Sequence, residues 1–128
     1  MARPFTLAAR IRSFRYAING IATMLRSQHN AWLHALATVG VCFAGFQLGF
    51  TREEWCWITL AIVAVWTAEA LNTAFEFLAD VASPEFHPGV QKAKDVAAGA
   101  VLISAIGSTL IGVVVAYPYL SALVGSAR

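Results

Sequence analysis

Three stretches of the chain run almost without interruption of their apolar character: Ala31 to Phe50, Trp55 to about Leu78, and Val96 to about Leu120. Each is long enough to cross a hydrocarbon core of about 30 Å, which takes roughly 20 helical residues. A soluble helix of such length would carry a charged stripe, and these runs do not. Ahead of them the pattern changes. Leu7, Ile11, Phe14, Ile18, Ile21 and Leu25 recur every three or four residues, while Arg12, Arg15, Asn19, Thr23 and Arg26 take the opposite side. This is the pattern of a helix lying in a membrane interface with a basic face outward. The sequence therefore predicts an all-α integral membrane protein in one domain, 1–128. Its N-terminal amphipathic surface helix covers about 7–27, and its transmembrane helices cover 31–50, 55–80 and 96–120.

Composition agrees, with 59% hydrophobic and 12% charged residues, and it turns charge into a question of orientation. Arg3, Arg10, Arg12, Arg15 and Arg26 precede the first span, and Lys92 and Lys94 lie in the second loop, against Arg52 and Arg128 on the other side. Seven basic residues against two place the N-terminus and the second loop in the cytoplasm. Trp32, Trp55, Trp57, Tyr117 and Tyr119 fall near span ends, where interfacial anchors sit. The net charge of +2 thus reports orientation and gives no sign of a nucleic-acid partner. No cleavable leader is predicted, because the first apolar run is too long and starts too late for one. Cys42 and Cys56 match no redox or metal spacing, and His29 and His34 match none either, so all four read as structural. Ala100, Ser104, Ser108 and Gly112 recur at every fourth position of the last run, a spacing that lets helices approach closely.

The second apolar run breaks its own rule. Glu69 and Glu76 lie inside it, and an ionisable residue at the centre of a span costs roughly 2.5–3.5 kcal/mol on insertion scales. At about 100° per residue, Glu69, Asn72, Thr73, Glu76 and Asp80 share a sector of roughly 100°. That face must look into protein, water or a ligand. Three helices alone offer little to enclose it, so neighbouring subunits are expected to help. Beyond it the loop Ser83-Pro84-Glu85-Phe86-His87-Pro88 breaks the helix twice. Lys92, Lys94 and Asp95 follow at the next helix start, a combination that suits a phosphate and its metal.

These residues resemble the small prokaryotic lipid kinases, the family of diacylglycerol kinase and undecaprenol kinase. The likeness rests on Glu69-Ala-Leu-Asn72-Thr-Ala-Phe-Glu76, then Asp80, then Ser83-Pro-Glu85-Phe-His87-Pro, then Ala93-Lys94-Asp95-Val-Ala-Ala-Gly-Ala, with Arg12-Ser-Phe-Arg-Tyr16-Ala-Ile-Asn-Gly20 ahead of it. It covers about residues 12–120. The resemblance implies a homotrimer in the bacterial inner membrane that moves the γ-phosphoryl group of ATP, with Mg²⁺, to a lipid hydroxyl. By that likeness Glu69 is the general base and Glu76 a metal ligand at the nucleotide. Glu85, His87, Lys94 and Asp95 hold the nucleotide, Tyr16 lies near it, and Asn72 orders the site.

One position departs from the pattern. The family commonly has a second metal-binding glutamate at the end of the surface helix, in a pattern like E-x-N-[AF]-x-x-H. Here that stretch reads Gln28-His29-Asn30-Ala31-Trp32-Leu33-His34. A glutamine oxygen can ligate Mg²⁺ without bringing charge, so weaker metal binding is expected. The Asn30–His34 spacing and the Ser83–Pro88 loop look more like the undecaprenol kinase branch, which favours undecaprenol over diacylglycerol as acceptor. A proton-coupled transporter is a rival use of membrane glutamates. It would need a polar path through both leaflets, and from Trp55 to Trp66 only Thr59 is polar. A non-catalytic membrane subunit would have no use for Glu69, Glu76, Lys94 and Asp95 together.

Overall fold

The computed structural model describes residues 6–126, which form four helices: α1 (Leu7–Ser27), α2 (His29–Leu48), α3 (Arg52–Ala82) and α4 (Pro88–Ser126). Arg3 and Arg128, counted in the charge balance above, lie outside the described residues. The last three helices are each long and apolar enough to cross a membrane.

Helix α1 starts where the Thr6 hydroxyl accepts the N–H of Ala9 at 3.3 Å, a side-chain cap on an otherwise orphaned donor. Its apolar stripe is not spent on the protein. Leu7, Ile11, Phe14, Ile18 and Ile21 are all more than half exposed, whereas Met24 is buried and ties down the far end. The stripe is thus free to lie in the acyl boundary of a bilayer. One extended residue, Gln28, separates α1 from α2 and sets the angle between them.

The turn from α2 to α3 is fixed by backbone chemistry. Gly49 takes φ 73°, the left-handed conformation that costs other residues roughly 1–2 kcal/mol. The N–H groups of Gly49 and Phe50 both reach back to the carbonyl of Gly45 at 3.0 Å. A capping box then opens α3: Thr51 Oγ1 accepts the Glu54 N–H at 3.3 Å, and the Glu54 carboxylate accepts the Thr51 N–H at 2.7 Å. Arg52, Glu53 and Glu54 therefore belong to the helix, although the apolar pattern placed its start at Trp55.

Helix α4 is longer than its apolar run at both ends. Pro88 suits the first helical position, where its missing N–H is no loss. The loop before it supplies the cap, because His87 Nδ1 accepts the N–H of Gly89 at 3.1 Å and the His87 carbonyl accepts that of Gln91 at 3.0 Å. The helix continues through Pro118, as spanning helices tolerate.

Packing centres on α3, which lies chiefly against α4. Ser108 Oγ, in the small-residue row of α4, donates across to the Ala61 carbonyl at 2.9 Å, so the row does serve close approach. At the end near the α2–α3 turn Phe50, Ile58 and Val115 form the core. The Trp55 ring lies 4.9 Å from Phe46 and 5.7 Å from Phe50, and Tyr119 closes the end by donating to Glu54 at 2.6 Å. Gly45 leaves room for this cluster: a Cβ there would stand 2.7 Å from the Phe50 ring and 2.8 Å from that of Trp55. Both rings are rigid and held on two sides. Gly45→Ala is expected to destabilise the fold by about 1–3 kcal/mol, the usual cost of overpacking. Equilibrium unfolding in mixed micelles, followed by tryptophan fluorescence, measures it.

Candidate functional site

The polar face of α3 meets the junction of α1 and α2. Helix periodicity puts Glu69, Asn72, Thr73 and Glu76 on one side, and α2 and the end of α1 lie over that side. Glu69 is 1% exposed, and Asn72 and Thr73 are buried with it. Sequence reasoning expected neighbouring subunits to be needed for this, yet a single chain suffices to bury Glu69. The short connection at Gln28 is what lays the start of α2 across α3 at this level.

Neither carboxylate oxygen of Glu69 has a hydrogen-bond partner, although both are buried. Unpartnered buried polar atoms are rare in folded proteins and expensive, which marks such an atom as held for a purpose. The group nearest in charge is His34 on α2, whose Nε2 stands 3.9 Å from Glu69 Oε2. His34 was read from sequence as structural, because no metal spacing included it. Its relation to Glu69 is a contact across two helices, and the only sequence trace is that it lies about one turn into a span. A polar chain holds this level together: Trp66 Nε1 donates to Thr38 Oγ1 at 3.1 Å, and Thr38 donates to the His34 carbonyl at 2.7 Å. Beside His34 an apolar groove of about 450 Å³ runs outward between α2, α3 and α4, past Val41, Ile62 and Gly112 to Leu120.

Glu76, two turns further in, is half-buried and fully partnered. Gln28 Nε2 donates to its Oε2 at 2.7 Å, and Asn72 Nδ2 donates to its Oε1 at 3.2 Å. The structure thus brings together Gln28, Asn72 and Glu76, three of the residues singled out by sequence. Asn72 Oδ1 is left buried without a partner. Whether this set suits Mg²⁺ turns on its oxygens. One carboxylate is in place, and turning the two amides would present Gln28 Oε1 and Asn72 Oδ1 beside it. Among the described residues no group of three or more His, Cys, Asp or Glu side chains could hold a metal. The set therefore fits an ion that brings phosphate oxygens with it, as Mg²⁺ commonly does.

The remaining residues are placed more loosely. Lys94 Nζ donates to Asp80 Oδ1 at 2.8 Å, linking α4 to α3 one turn beyond Glu76. Asp95 accepts from Gln91 Nε2 at 2.8 Å along its own helix. Glu85 is exposed in the loop, its carbonyl accepting from Ser83 Oγ at 3.0 Å. His87 spends Nδ1 on capping α4, which leaves Nε2 for any ligand. Tyr16 is 69% exposed on α1 and stands about 18 Å from Gln28 along the helix axis, so it is not brought into the cluster.

Comparison with known proteins gives this geometry its context. The family model for prokaryotic diacylglycerol kinase matches residues 15–116. An undecaprenol kinase of Bacillus subtilis is 38% identical over 109 residues, covering 85% of this chain and 89% of that protein. A diacylglycerol kinase of Synechocystis is 35% identical over 101 residues, covering 78% of this chain but 58% of that protein.

The Lys94–Asp80 pair is a surface contact, its side chains 31% and 67% exposed, and such pairs contribute at most about 1 kcal/mol. Asp80→Asn is expected to leave stability within about 1 kcal/mol of the parent in the same unfolding assay. A larger loss would mean that the pair fastens α4 to α3.

Proposed function

The chain belongs to the prokaryotic diacylglycerol kinase family and is an ATP-dependent membrane lipid kinase, and we propose that it phosphorylates the primary hydroxyl of undecaprenol at the cytoplasmic face of the bacterial inner membrane. The choice of acceptor is supported by the undecaprenol kinase relative, which is matched over nearly its whole length. Diacylglycerol is the second reading, supported by a relative matched over little more than half its length. The observation that carries the site assignment is Glu69, a carboxylate 1% exposed with both oxygens unpartnered inside a spanning helix.

In this reading the isoprenoid chain lies along the apolar groove, and its hydroxyl end reaches Glu69 at the His34 end. Glu69 takes the proton of that hydroxyl as its oxygen bonds the γ-phosphorus of ATP and the bond from that phosphorus to the β–γ bridging oxygen breaks, ADP leaving with the electron pair; this is the work of a general base. His34 acts through Glu69: its Nε2 keeps the carboxylate turned toward the groove and stabilises it in this poorly solvated setting. Glu76 and the amide oxygens of Gln28 and Asn72 hold the metal end of the nucleotide. Lys94 releases Asp80 to meet the phosphates, while Asp95, Glu85 and His87 Nε2 line the nucleotide's other side. Mg²⁺, when bound, neutralises the charge that builds on the phosphoryl oxygens. The active unit is a homotrimer, with the N-terminus cytoplasmic.

Transfer of radiolabelled γ-phosphate in mixed micelles tests this. Glu69→Gln and Glu76→Ala are each expected to lower kcat at least about 100-fold with the fold retained. Phosphate on undecaprenol in preference to diacylglycerol supports the stated acceptor, and the reverse order would replace it. No transfer by the parent chain to either lipid would overturn the reading. His34→Leu is expected to lower kcat about tenfold or more at unchanged lipid KM, and His34→Gln, which keeps a donor toward Glu69, to recover part of it. A loss confined to KM would instead make His34 part of the groove wall.

A further inference from the structure

In most places a half-buried carboxylate on a spanning helix would need a cation. Among the described residues none stands within ion-pair distance of Glu76, and its oxygens are instead held by two neutral amides, Gln28 Nε2 at 2.7 Å and Asn72 Nδ2 at 3.2 Å. An ionised carboxylate only accepts, so the polarity of both contacts is fixed: each amide must turn its N–H toward Glu76. Gln28 comes from the α1–α2 connection and Asn72 from the preceding turn of α3, so the carboxylate is gripped from two directions. The grip leaves Asn72 Oδ1 buried and unpartnered.

We propose that Gln28 makes divalent-metal binding conditional on the nucleotide: its amide substitutes for the ion on Glu76, and the ion is accepted only together with the phosphates that carry it. This rests on the reading of Glu76 as the metal-end ligand of a kinase site. A free divalent ion arriving at Glu76 would find a single carboxylate. Glu69 lies about 10 Å away along the helix, sealed against His34. Asp80, one turn on, is taken by Lys94. The ion would also have to displace two N–H donors and turn both amides, so that Gln28 Oε1 and Asn72 Oδ1 face it. Mg²⁺ surrenders its water reluctantly and is normally held by one or two carboxylates plus phosphate oxygens. A metal–nucleotide complex brings those oxygens with it. Its arrival also gives the orphaned Asn72 Oδ1 a partner. The residue at 28 therefore decides whether the site loads its metal first or only with the nucleotide.

The test is equilibrium binding of radioactive Mn²⁺ to the full chain in zwitterionic nanodiscs, with empty nanodiscs subtracted. It is run with and without a non-hydrolysable ATP analogue. The parent protein is expected to retain Mn²⁺ only with the analogue. Gln28→Glu is expected to bind Mn²⁺ alone at least about tenfold more tightly than the parent and to gain thermal stability from it, because a second carboxylate replaces the donor amide. Parent protein that binds Mn²⁺ alone within about threefold of Gln28→Glu would overturn the inference while leaving the kinase reading intact. The parent arms decide the matter even if the variant fails to fold. Glu76→Gln is expected to abolish the analogue-dependent retention of Mn²⁺. Retention unchanged in that variant would show the ion to lie elsewhere, and would overturn the placement of Glu76 together with the inference.

Discussion

Glu69 and Glu76 sit two turns apart on one face of a helix long and apolar enough to span a membrane, and the rest of the fold is arranged to make that tolerable. A carboxylate at this depth needs partners. Helix α3 supplies one of them from its own face, since Asn72 donates to Glu76. The others come from α2, through His34 beside Glu69, and from the single extended residue between α1 and α2, through Gln28. The direction of the surface helix is thus coupled to the site: α1 cannot be repositioned without moving the group that holds Glu76.

The two ends of the bundle are built by opposite means. The end at the α2–α3 turn is closed by aromatic packing around Gly45 and by a capping box whose glutamate is also gripped by Tyr119. The opposite end is held by hydrogen bonds that a ligand can exchange, those of Gln28 and Asn72 to Glu76 and of Lys94 to Asp80. Rigidity at one end lets the other keep exchangeable contacts without loss of the fold. Glu69 lies between the two, buried, against the His34 that closes one end of the apolar groove. That position suits an acceptor whose body is hydrocarbon and whose reactive end is a hydroxyl.

Much of this was legible in the sequence, and the limits of legibility are physical. The helical period carried the surface helix and the shared face of Glu69, Asn72 and Glu76, because both are properties of one helix. Helix ends were less legible. Arg52 to Glu54 and Pro88 to Asp95 are polar yet helical, because caps and first-turn chemistry decide ends, and an apolar pattern does not register them. Contacts between helices were not legible. His34 stands beside Glu69, and Gln28 donates to Glu76, because of the angle at one non-helical residue, and no periodicity encodes an angle. Gln28 drew notice only through a departure from a family pattern. That departure suggested a weaker ligand, whereas the structure adds a donor that competes for Glu76.

The surface of the single chain carries the last step. It exposes 9915 Å², whereas a soluble monomer of its mass exposes about 6,600 Å². The excess is apolar and runs along the outward faces of all four helices, from Leu36 and Phe43 on α2 to Ile103 and Val114 on α4. Acyl chains can cover it, and so can copies of the same chain, since neither demands hydrogen bonds. The same indifference does not extend to the inner edge, where Glu85, His87 and Asp95 are exposed beside Glu76 and Lys94. Arg12 and Arg15 on α1 and Arg52 and Glu53 at the start of α3 are exposed as well, but the rim is the polar surface joined to the α3 carboxylate face through Lys94 and Asp80, and the proposed reading admits the charged phosphate donor there. In the proposed reading the nucleotide comes to that rim from water and the lipid arrives through the bilayer, so that two substrates sharing no common solvent meet without either leaving its own phase.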